Sequence, residues 1–289
     1  MRAGLISPPV APPLFMASLL ISYLAEREAS PRYVESLQRT VRRAAAYGLC
    51  DVGQLTPENA NDFLRSLALA PVTRGNIRRE LLSLWRYAFE RGFTEETPRR
   101  VMRIKQKREA PQAWSAADLN NLLDAAEADQ SGVHVARVSL LWSEVLPAWI
   151  GIGYDSGLRF SDILLLRDTN LVRGCITVTA SKTSKATVRQ LSGYSWAAAQ
   201  RLLDKSPDGS LFRWCITRRR MLMKWRSFLN ALGMPGSSRW LRRSAATFVE
   251  LNHPGAASSF LSHSNPSLAR LHYIDPSLLG VPVGPPPMR

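Results

Sequence analysis

Apolar residues recur three and four positions apart through "SLLISYLAERE", "SPRYVESLQRTVRRAAAYG", "TPENANDFLRSLAL" and "VTRGNIRRELLSLWRYAFERG", the period of helices that bury one face. From Met16 to about Phe93 the chain therefore predicts four helices in one small bundle. Ser30 before Pro31, Thr56 before Pro57, and Thr73 offer cap chemistry at helix starts, and Gly48 and Gly92 stand at C-terminal ends. The pattern lapses in "PRRVMRIKQKREAPQAW", Pro98 to Trp114, which is dense in Lys and Arg and broken by a second proline. It reads as a basic linker between domains.

Helical periodicity returns in "SAADLNNLLDAAEA", with Ser115 as N-cap, and continues through "SLLWSEVLPAWIGIGYDSG" and "LRFSDILLLRD". In "CITVTAS" the period drops to two: Ile176 and Val178 alternate with Thr177 and Thr179, and "ATVRQLS" follows across the polar turn "KTSK". This is the one hairpin the pattern predicts with clarity. Helices resume in "SWAAAQRLLD", "RRRMLMKWRSFLNALG" and "SRWLRRSAATFVELN". The closing "DPSLLGVPVGPPPMR" carries too many prolines for a core helix and is expected to run over a surface. No internal repeat is present. The expected fold is mainly α: a helical bundle over 15–97, a basic linker over 98–113, a mostly helical α/β domain with a small antiparallel sheet over 114–275, a disordered lead over 1–14 and a tail over 276–289.

Composition narrows the partner. Lys plus Arg total 38 against 23 Asp plus Glu, giving +15 and a pI near 10.5, an imbalance that favours a polyanion. Nucleic acid leads, ahead of an anionic membrane surface. Lys occurs only at 105, 107, 182, 185, 205 and 224; the abundant Arg suits fork-like phosphate recognition better. Cys50, Cys175 and Cys215 form no paired spacing, which points to a reducing compartment and away from a zinc site. Pro8, Pro9, Pro12 and Pro13 break the apolar run at the start, against a signal peptide. No stretch approaches the roughly 20 apolar residues of a spanning helix. A cytoplasmic protein, nucleoid-associated in a prokaryote, with no membrane, metal or small-molecule cofactor, is expected.

Two basic stripes mark the bundle, Arg39, Arg42 and Arg43 on the second predicted helix and Arg74 with Arg78 on the fourth, since residues three and four apart share a face. They are the candidates for DNA backbone contacts; a solvated helix surface explains either stripe alone equally well. In the second domain, "DSGLRFSDILLLR" lets Ser156 cap a helix whose first turn presents Arg159, with Asp162 on the same side. An Arg there opposes the helix dipole unless an anion joins it; a surface pair with Asp162 is the plainer alternative. Lys182 and Lys185 flank the hairpin turn, where an ammonium could protonate a leaving oxygen or simply be a polar turn residue. In "RWLRRSAATFVE", Leu241, Ala245 and Phe248 face a core while Arg239, Arg242 and Arg243 form a neighbouring basic face. The segment "LSHSNPSLARLHYIDPS" holds His263, His272 and Tyr273.

The order Arg, Lys, Arg, His, Tyr on a basic two-domain chain resembles the tyrosine recombinase, or phage integrase, family, over nearly everything from Met16 to about Pro276. "SGLRFSDILLLR" is similar to the family's Thr-Gly-Leu-Arg segment, with an acidic residue three after the Arg, and "ASKTSK" to its lysine-bearing hairpin. "RWLRRSAAT" resembles the His-x-Leu-Arg segment and "LSHSNPS" the Leu-Gly-His segment. The resemblance implies a SAM-like core-binding bundle and a catalytic domain that breaks and rejoins double-stranded DNA through a 3′-phosphotyrosyl intermediate, as a homo-oligomer, a tetramer on paired sites. It implies Arg159 and Arg242 as phosphate clamps, Lys182 as the proton donor, His263 as a phosphate hydrogen-bond donor and Tyr273 as the nucleophile. The family's usual histidine three before the second arginine is Arg239 here, expected as a third positive donor at the phosphate, since a guanidinium, effectively always protonated, cannot be a general base. His263 and Tyr273 are ten apart where nine is usual, which puts His272 at the usual place of the nucleophile and makes it, with His263, a candidate base. A DNA-binding relative without catalysis and a topoisomerase-like enzyme are the alternatives.

Overall fold

The computed structural model describes residues 14–106, 109–135, 138–179, 186–262 and 265–279. The chain divides into two compact units, Met1–Arg108 and Glu109–Arg289.

Among the described residues the first unit holds four α-helices, α1 (Met16–Ala25), α2 (Pro31–Tyr47), α3 (Pro57–Ser66) and α4 (Pro71–Glu90). Ser30 and Thr56 cap α2 and α3 by accepting from Tyr33 and Asn59 N–H groups, and both helices begin with the proline the sequence supplies. Gly48 closes α2 at φ 109, a conformation without side-chain penalty only for glycine. Thr73 is not a cap: α4 starts two residues earlier behind Ala70, because Pro71 already has the φ a first helical residue needs. The core gathers Leu19, Leu37, Phe63, Leu81, Leu84 and Trp85. One carboxylate is buried among them, Glu80, and both of its oxygens are satisfied, by Ser36 Oγ at 2.6 Å and by Thr40 Oγ1.

Both ends of this unit extend past the predicted boundaries. Leu14 packs on the core and its carbonyl accepts Val52 N–H at 2.9 Å, so the expected disordered lead cannot include it; residues 1–13 lie outside the described residues. Within the predicted linker, Val101 is buried and Met102 N–H donates to Asn61 Oδ1 at 2.7 Å. Apolar Val101 and Met102 explain the difference, since they bury surface that a free linker would leave in water.

The second unit is built around α6 (Trp142–Ser156), whose residues from Val145 to Gly153 are buried. Against it pack α5 (Ala116–Glu127), α8 (Gly193–Leu203) and α10 (Arg239–Asn252). The approach of α8 depends on Gly151, where a Cβ would collide with Ser195. Trp149 is fully buried between Phe160 and Phe212, with ring centroids at 4.7 and 5.2 Å. Between these helices lie α7 (Phe160–Leu164) and a three-stranded antiparallel sheet, β3 (Leu171–Val172), β4 (Cys175–Thr179) and β5 (Ala186–Gln190) in that order; β4 and β5 are the predicted hairpin. Beyond α8 follow α9 (Arg218–Ala231), α11 (Ala257–Phe260) and α12 (Pro266–His272).

A second hairpin, β1 (Gly132–Val135) paired with β2 (Val138–Leu141), was not anticipated. The predicted helix over "SLLWSEVLPAWIGIGYDSG" begins only at Trp142, and Ser139 to Leu141 belong to a strand. Apolar runs this short fit either period, and Glu144, which accepts Leu141 N–H at 2.9 Å, fixes where the helix starts.

Candidate active site

The turn from α6 into α7 sets the first side chain. Gly157 ends α6 at φ 59, and a Cβ there would stand 2.5 Å from Phe260 Cε1, so the position requires glycine on two counts. Ser156 belongs to α6, where its hydroxyl donates to Ile152 O at 2.5 Å and accepts Leu158 N–H at 3.2 Å. It does not cap α7; Arg159 itself holds that cap position. Arg159 is one-quarter exposed, with Nη1 at 3.8 Å from Asp162 Oδ2, and the Asp162 side chain is 5% exposed. The pair is thus not a surface pair, and its carboxylate holds a guanidinium at the edge of a cavity.

Arg242 comes from α10 and corrects the expected basic face. It is 7% exposed and turned inward, while Arg239 at the start of α10 is exposed and Arg243 is half-buried. Inward placement is tolerable because its fork is bonded: it donates to Gly157 O and, at 2.9 Å, to Leu261 O. Buried charges persist where they are paired and hydrogen-bonded. Burial pushes the Arg242 guanidinium down to about 10, assisted by the like charge of Arg159 and opposed by Tyr273 and Asp162. At that value the group is still charged near neutrality.

Tyr273 follows α12 directly as its cap residue. Its ring is partly buried against Ala246, Ala257, Leu261, Ala269 and Ile274, and Arg242 Cζ stands 5.1 Å from the ring centroid. The backbone is fastened on both sides of the phenol. Tyr273 N–H donates to Ala269 O at 2.9 Å, Ile274 N–H to the same oxygen at 3.2 Å, and Asp275 N–H to Thr247 Oγ1 at 2.9 Å. Asp275 is buried, and its carboxylate accepts Ala113 N–H at 2.8 Å and Ser277 N–H at 2.9 Å. It therefore ties the entry of the unit, at Ala113 and the buried Trp114, to the segment bearing the tyrosine.

The structure thus brings Arg159, Asp162 and Arg242 together around one small cavity, whose lining also includes Thr187, Arg189, Phe260 and Ser262, and Tyr273 joins this group through its contact with Arg242. Lys182, Lys185 and His263 lie outside the described residues. Arg239 lies on the exposed first turn of α10, and its positive charge helps to push Arg243 down, after burial itself. His272 is exposed at the end of α12. Among the described residues no group of His, Cys, Asp or Glu is placed to hold a metal ion, and no helix is long and apolar enough to cross a membrane.

Residue reading missed Arg189 and Asp275. For Arg189 a signal existed: it pairs with Ile176 across β4 and β5, as Thr187 pairs with Val178, and both β4 partners are buried. Facing side chains in a ladder share a side of the sheet, so an Arg stood in an inward slot. For Asp275 there was only an Asp before Pro276, an ordinary turn signal.

The stripes of the first unit differ among themselves. Arg42 and Arg43 are exposed, and Arg39 is paired with Glu35 at 2.9 Å on the surface. Arg74 is half-buried. Arg78 is committed inward: Nε donates to Met102 O at 2.6 Å and Nη2 to Val101 O at 3.1 Å. It latches the start of the connecting segment to α4.

No protein-family model matches the sequence, and no curated protein does. The fold matches solved structures. A Tn1549 transposon integrase in complex with circular-intermediate DNA is similar with TM-score 0.73 and 15% identity, over 88% of this chain and 93% of that one. A lambda integrase dimer bound to a COC′ core site gives TM-score 0.67 and 16% identity, over 89% and 77%. The XerH site-specific recombinase bound to its difH substrate gives TM-score 0.62 and 16% identity, over 88% and 81%. The mainly helical architecture with a small antiparallel sheet expected from the sequence is the fold these recombinases share.

Proposed function

We propose that this chain is a site-specific DNA recombinase of the tyrosine type, in which Tyr273 attacks a DNA phosphodiester and two arginines hold the phosphate. One observation carries the reading: Arg242, buried and bonded to Gly157 and Leu261 carbonyls, lies against the Tyr273 ring and shares a cavity with Arg159. The similar Tn1549 and lambda integrases are DNA complexes, and the net charge of +15 suits the same polyanion.

In this reading the phenol oxygen of Tyr273 bonds to phosphorus as the bond to the 5′ oxygen breaks. The phosphodiester becomes a 3′-phosphotyrosyl ester that keeps its energy for rejoining. Arg159 and Arg242 meet the charge that grows on the non-bridging oxygens. Asp162 orients Arg159 and remains an acceptor. Lys182 protonates the departing 5′ oxygen and His263 donates a hydrogen bond to the phosphate, roles that rest on the family resemblance. A 5′ hydroxyl from another strand then attacks the ester, releases Tyr273 and completes exchange. With Arg239 in place of the usual histidine, the tyrosine's proton has no acceptor at that position; Arg242, against the phenol, favours its loss by stabilising the negative oxygen.

The unit before the linker serves as the core-binding domain, with Arg39, Arg42, Arg43 and Arg74 toward DNA backbone. Recombination joins paired sites, so the working form is a homo-oligomer, a tetramer on two sites. The exposed guanidinium at 239 also favours a second reading, a DNA-binding relative that does not cleave. One assay separates the two: duplexes from the DNA flanking this coding sequence, nicked so that the short fragment leaving with the 5′ hydroxyl escapes, are incubated with wild type and Tyr273→Phe. Cleavage predicts a denaturation-resistant protein–DNA adduct with wild type alone. Tight binding with no adduct would select the second reading, and adducts with the Phe variant would remove Tyr273 from its role.

A further inference from the structure

Arg189 lines the same cavity from β5, and its surroundings are unlike those of an ordinary partly buried arginine. Its guanidinium donates to Phe260 O, to Ser259 O at 3.4 Å, to Ser262 Oγ at 3.3 Å and to Val188 O at 2.8 Å, and its Cζ lies 5.1 Å from the Phe260 ring centre. All of these partners are neutral. Burial pushes its pKa down, so the chain holds a charge there against a desolvation penalty. The helix it meets explains the arrangement. Helix α11 has four residues; Leu261 N–H closes on Ala257 O and Ser262 N–H on Ser259 O, which leaves the carbonyls at its end short of donors. Cations at a helix C-terminus satisfy such carbonyls. Arg189 takes those of 259 and 260, and Arg242 takes that of 261. The turn ends at Ser262 with φ 55, a left-handed conformation that costs a non-glycine residue about 1 kcal/mol and persists where its surroundings fix it.

The contacts close a loop. Phe260 lies under the Arg189 guanidinium and so near Gly157 that no Cβ fits. Gly157 O and Leu261 O are the two anchors of Arg242, and Arg242 lies against Tyr273. Displacing the 259–262 turn therefore shifts one anchor of Arg242 directly and releases the ring that backs the other. We propose that Arg189 is a positioning residue for strand cleavage, acting through Phe260 and the 259–262 turn to set the Arg242 guanidinium against the scissile phosphate and Tyr273. The inference rests on the recombinase reading. A misplacement of about 1 Å at such a centre can cost about 100-fold in rate, and this is the size of effect expected.

Three measurements on the full chain test it: DNA affinity, single-turnover cleavage at saturating DNA, and amide hydrogen exchange across 257–262 without DNA, for wild type, Arg189→Lys and Arg189→Gln. Arg189→Gln should cleave about 10 to 100-fold more slowly, bind DNA within about threefold of wild type, since no phosphate contact is lost, and exchange faster at 259–262. Arg189→Lys, which keeps the charge without the fork, should recover the fold if the Gln variant is unstable and should still cleave slowly. Wild-type cleavage rates in both variants would overturn the proposal. So would a loss confined to DNA affinity, which would make Arg189 a phosphate contact. If wild type itself forms no adduct, the recombinase reading fails, and the catalytic half of the inference with it. Unchanged exchange at 259–262 in the variants would instead refute the positioning of the turn, whatever the enzyme does.

Discussion

The guanidinium carbon of Arg242 stands 5.1 Å from the centre of the Tyr273 ring, on a side chain that is 7% exposed and bonded to the carbonyls of Gly157 and Leu261. The relationship makes Arg242 a structural and a chemical group at once. Replacing it by Lys keeps one charge and gives up the planar fork, leaving a buried carbonyl short of a partner at a cost of about 1–3 kcal/mol. Arg242→Lys should therefore melt several degrees lower and cleave at least about 100-fold more slowly, whereas Tyr273→Phe, which keeps the ring under the guanidinium, should melt near wild type and make no adduct. Scanning calorimetry and the nicked-duplex assay check both halves. A Lys variant as stable and active as wild type would remove the carbonyl anchors from the argument.

The acceptor of the tyrosine proton can be read from a pH profile. Arg239 cannot accept a proton, and His272 is exposed with no hydrogen bond or ion pair among the described residues. With solvent as acceptor, single-turnover cleavage should keep rising as the pH goes from about 6 to 9. His272→Ala should give the same profile. Arg239→His would restore an imidazole, with an ordinary pKa of about 6.5, and should level the rate above about pH 7. A wild-type plateau near neutrality that disappears in His272→Ala would identify His272 as the base after all.

How far such assignments could be read in the sequence depends on the distance over which each residue acts. The helices of the bundle were legible because their apolar periodicity, prolines and caps are local, and the β4–β5 hairpin because Ile176 and Val178 alternate with threonines. Arg159 with Asp162 is also a local signal. The inward turn of Arg242 is not, since the pattern of α10 placed it on a basic face and the carbonyls that draw it inside come from Gly157 and Leu261. Asp275 acts on Ala113, 162 residues away, and Arg189 on Phe260, 71 residues away. Arg78 shows the converse: its spacing with Arg74 suggested a surface stripe, and a connecting segment beyond the helix claims it.

That contrast predicts different phenotypes for two arginines of one bundle. Arg43→Ala removes an exposed charge and should weaken DNA binding and lower the slope of log affinity against log salt by about 1, with stability unchanged within about 0.5 kcal/mol. Arg78→Ala leaves the carbonyls of Val101 and Met102 without donors and should destabilise the unit by about 1–3 kcal/mol, with a salt slope near that of wild type. Salt titrations of binding and urea melts distinguish them. A salt slope lowered by Arg78→Ala at unchanged stability would return that residue to the DNA contacts.

The ion pair between Lys224 and Asp129 gives the second unit a predictable acid limit. Lys224 Nζ lies 2.5 Å from Asp129 Oδ2, with both side chains less than one-fifth exposed, and 5.1 Å over the Trp142 ring, so it joins α9 to the loop after α5 and to the start of α6. Burial alone would raise the Asp129 carboxyl; the hydrogen bonds from Lys224 and Ser131 outweigh it and hold the group below its ordinary value of 3.8. A carboxyl whose pKa is lower folded than unfolded contributes fully above the unfolded value and loses its contribution as the pH falls through the folded one. Lys224→Met keeps the aliphatic packing on Trp142 and removes the charge, leaving the carboxylate partly buried and unpaired. The variant should be less stable than wild type by about 1–2 kcal/mol at pH 7, below the cost of breaking a fully buried pair. The gap should narrow from about pH 4 downward, as Asp129 in the variant protonates earlier and wild type loses its pair. Urea melts from pH 7 to pH 2 measure it, and a gap constant over that range would assign the stability to packing on Trp142 rather than to the ion pair.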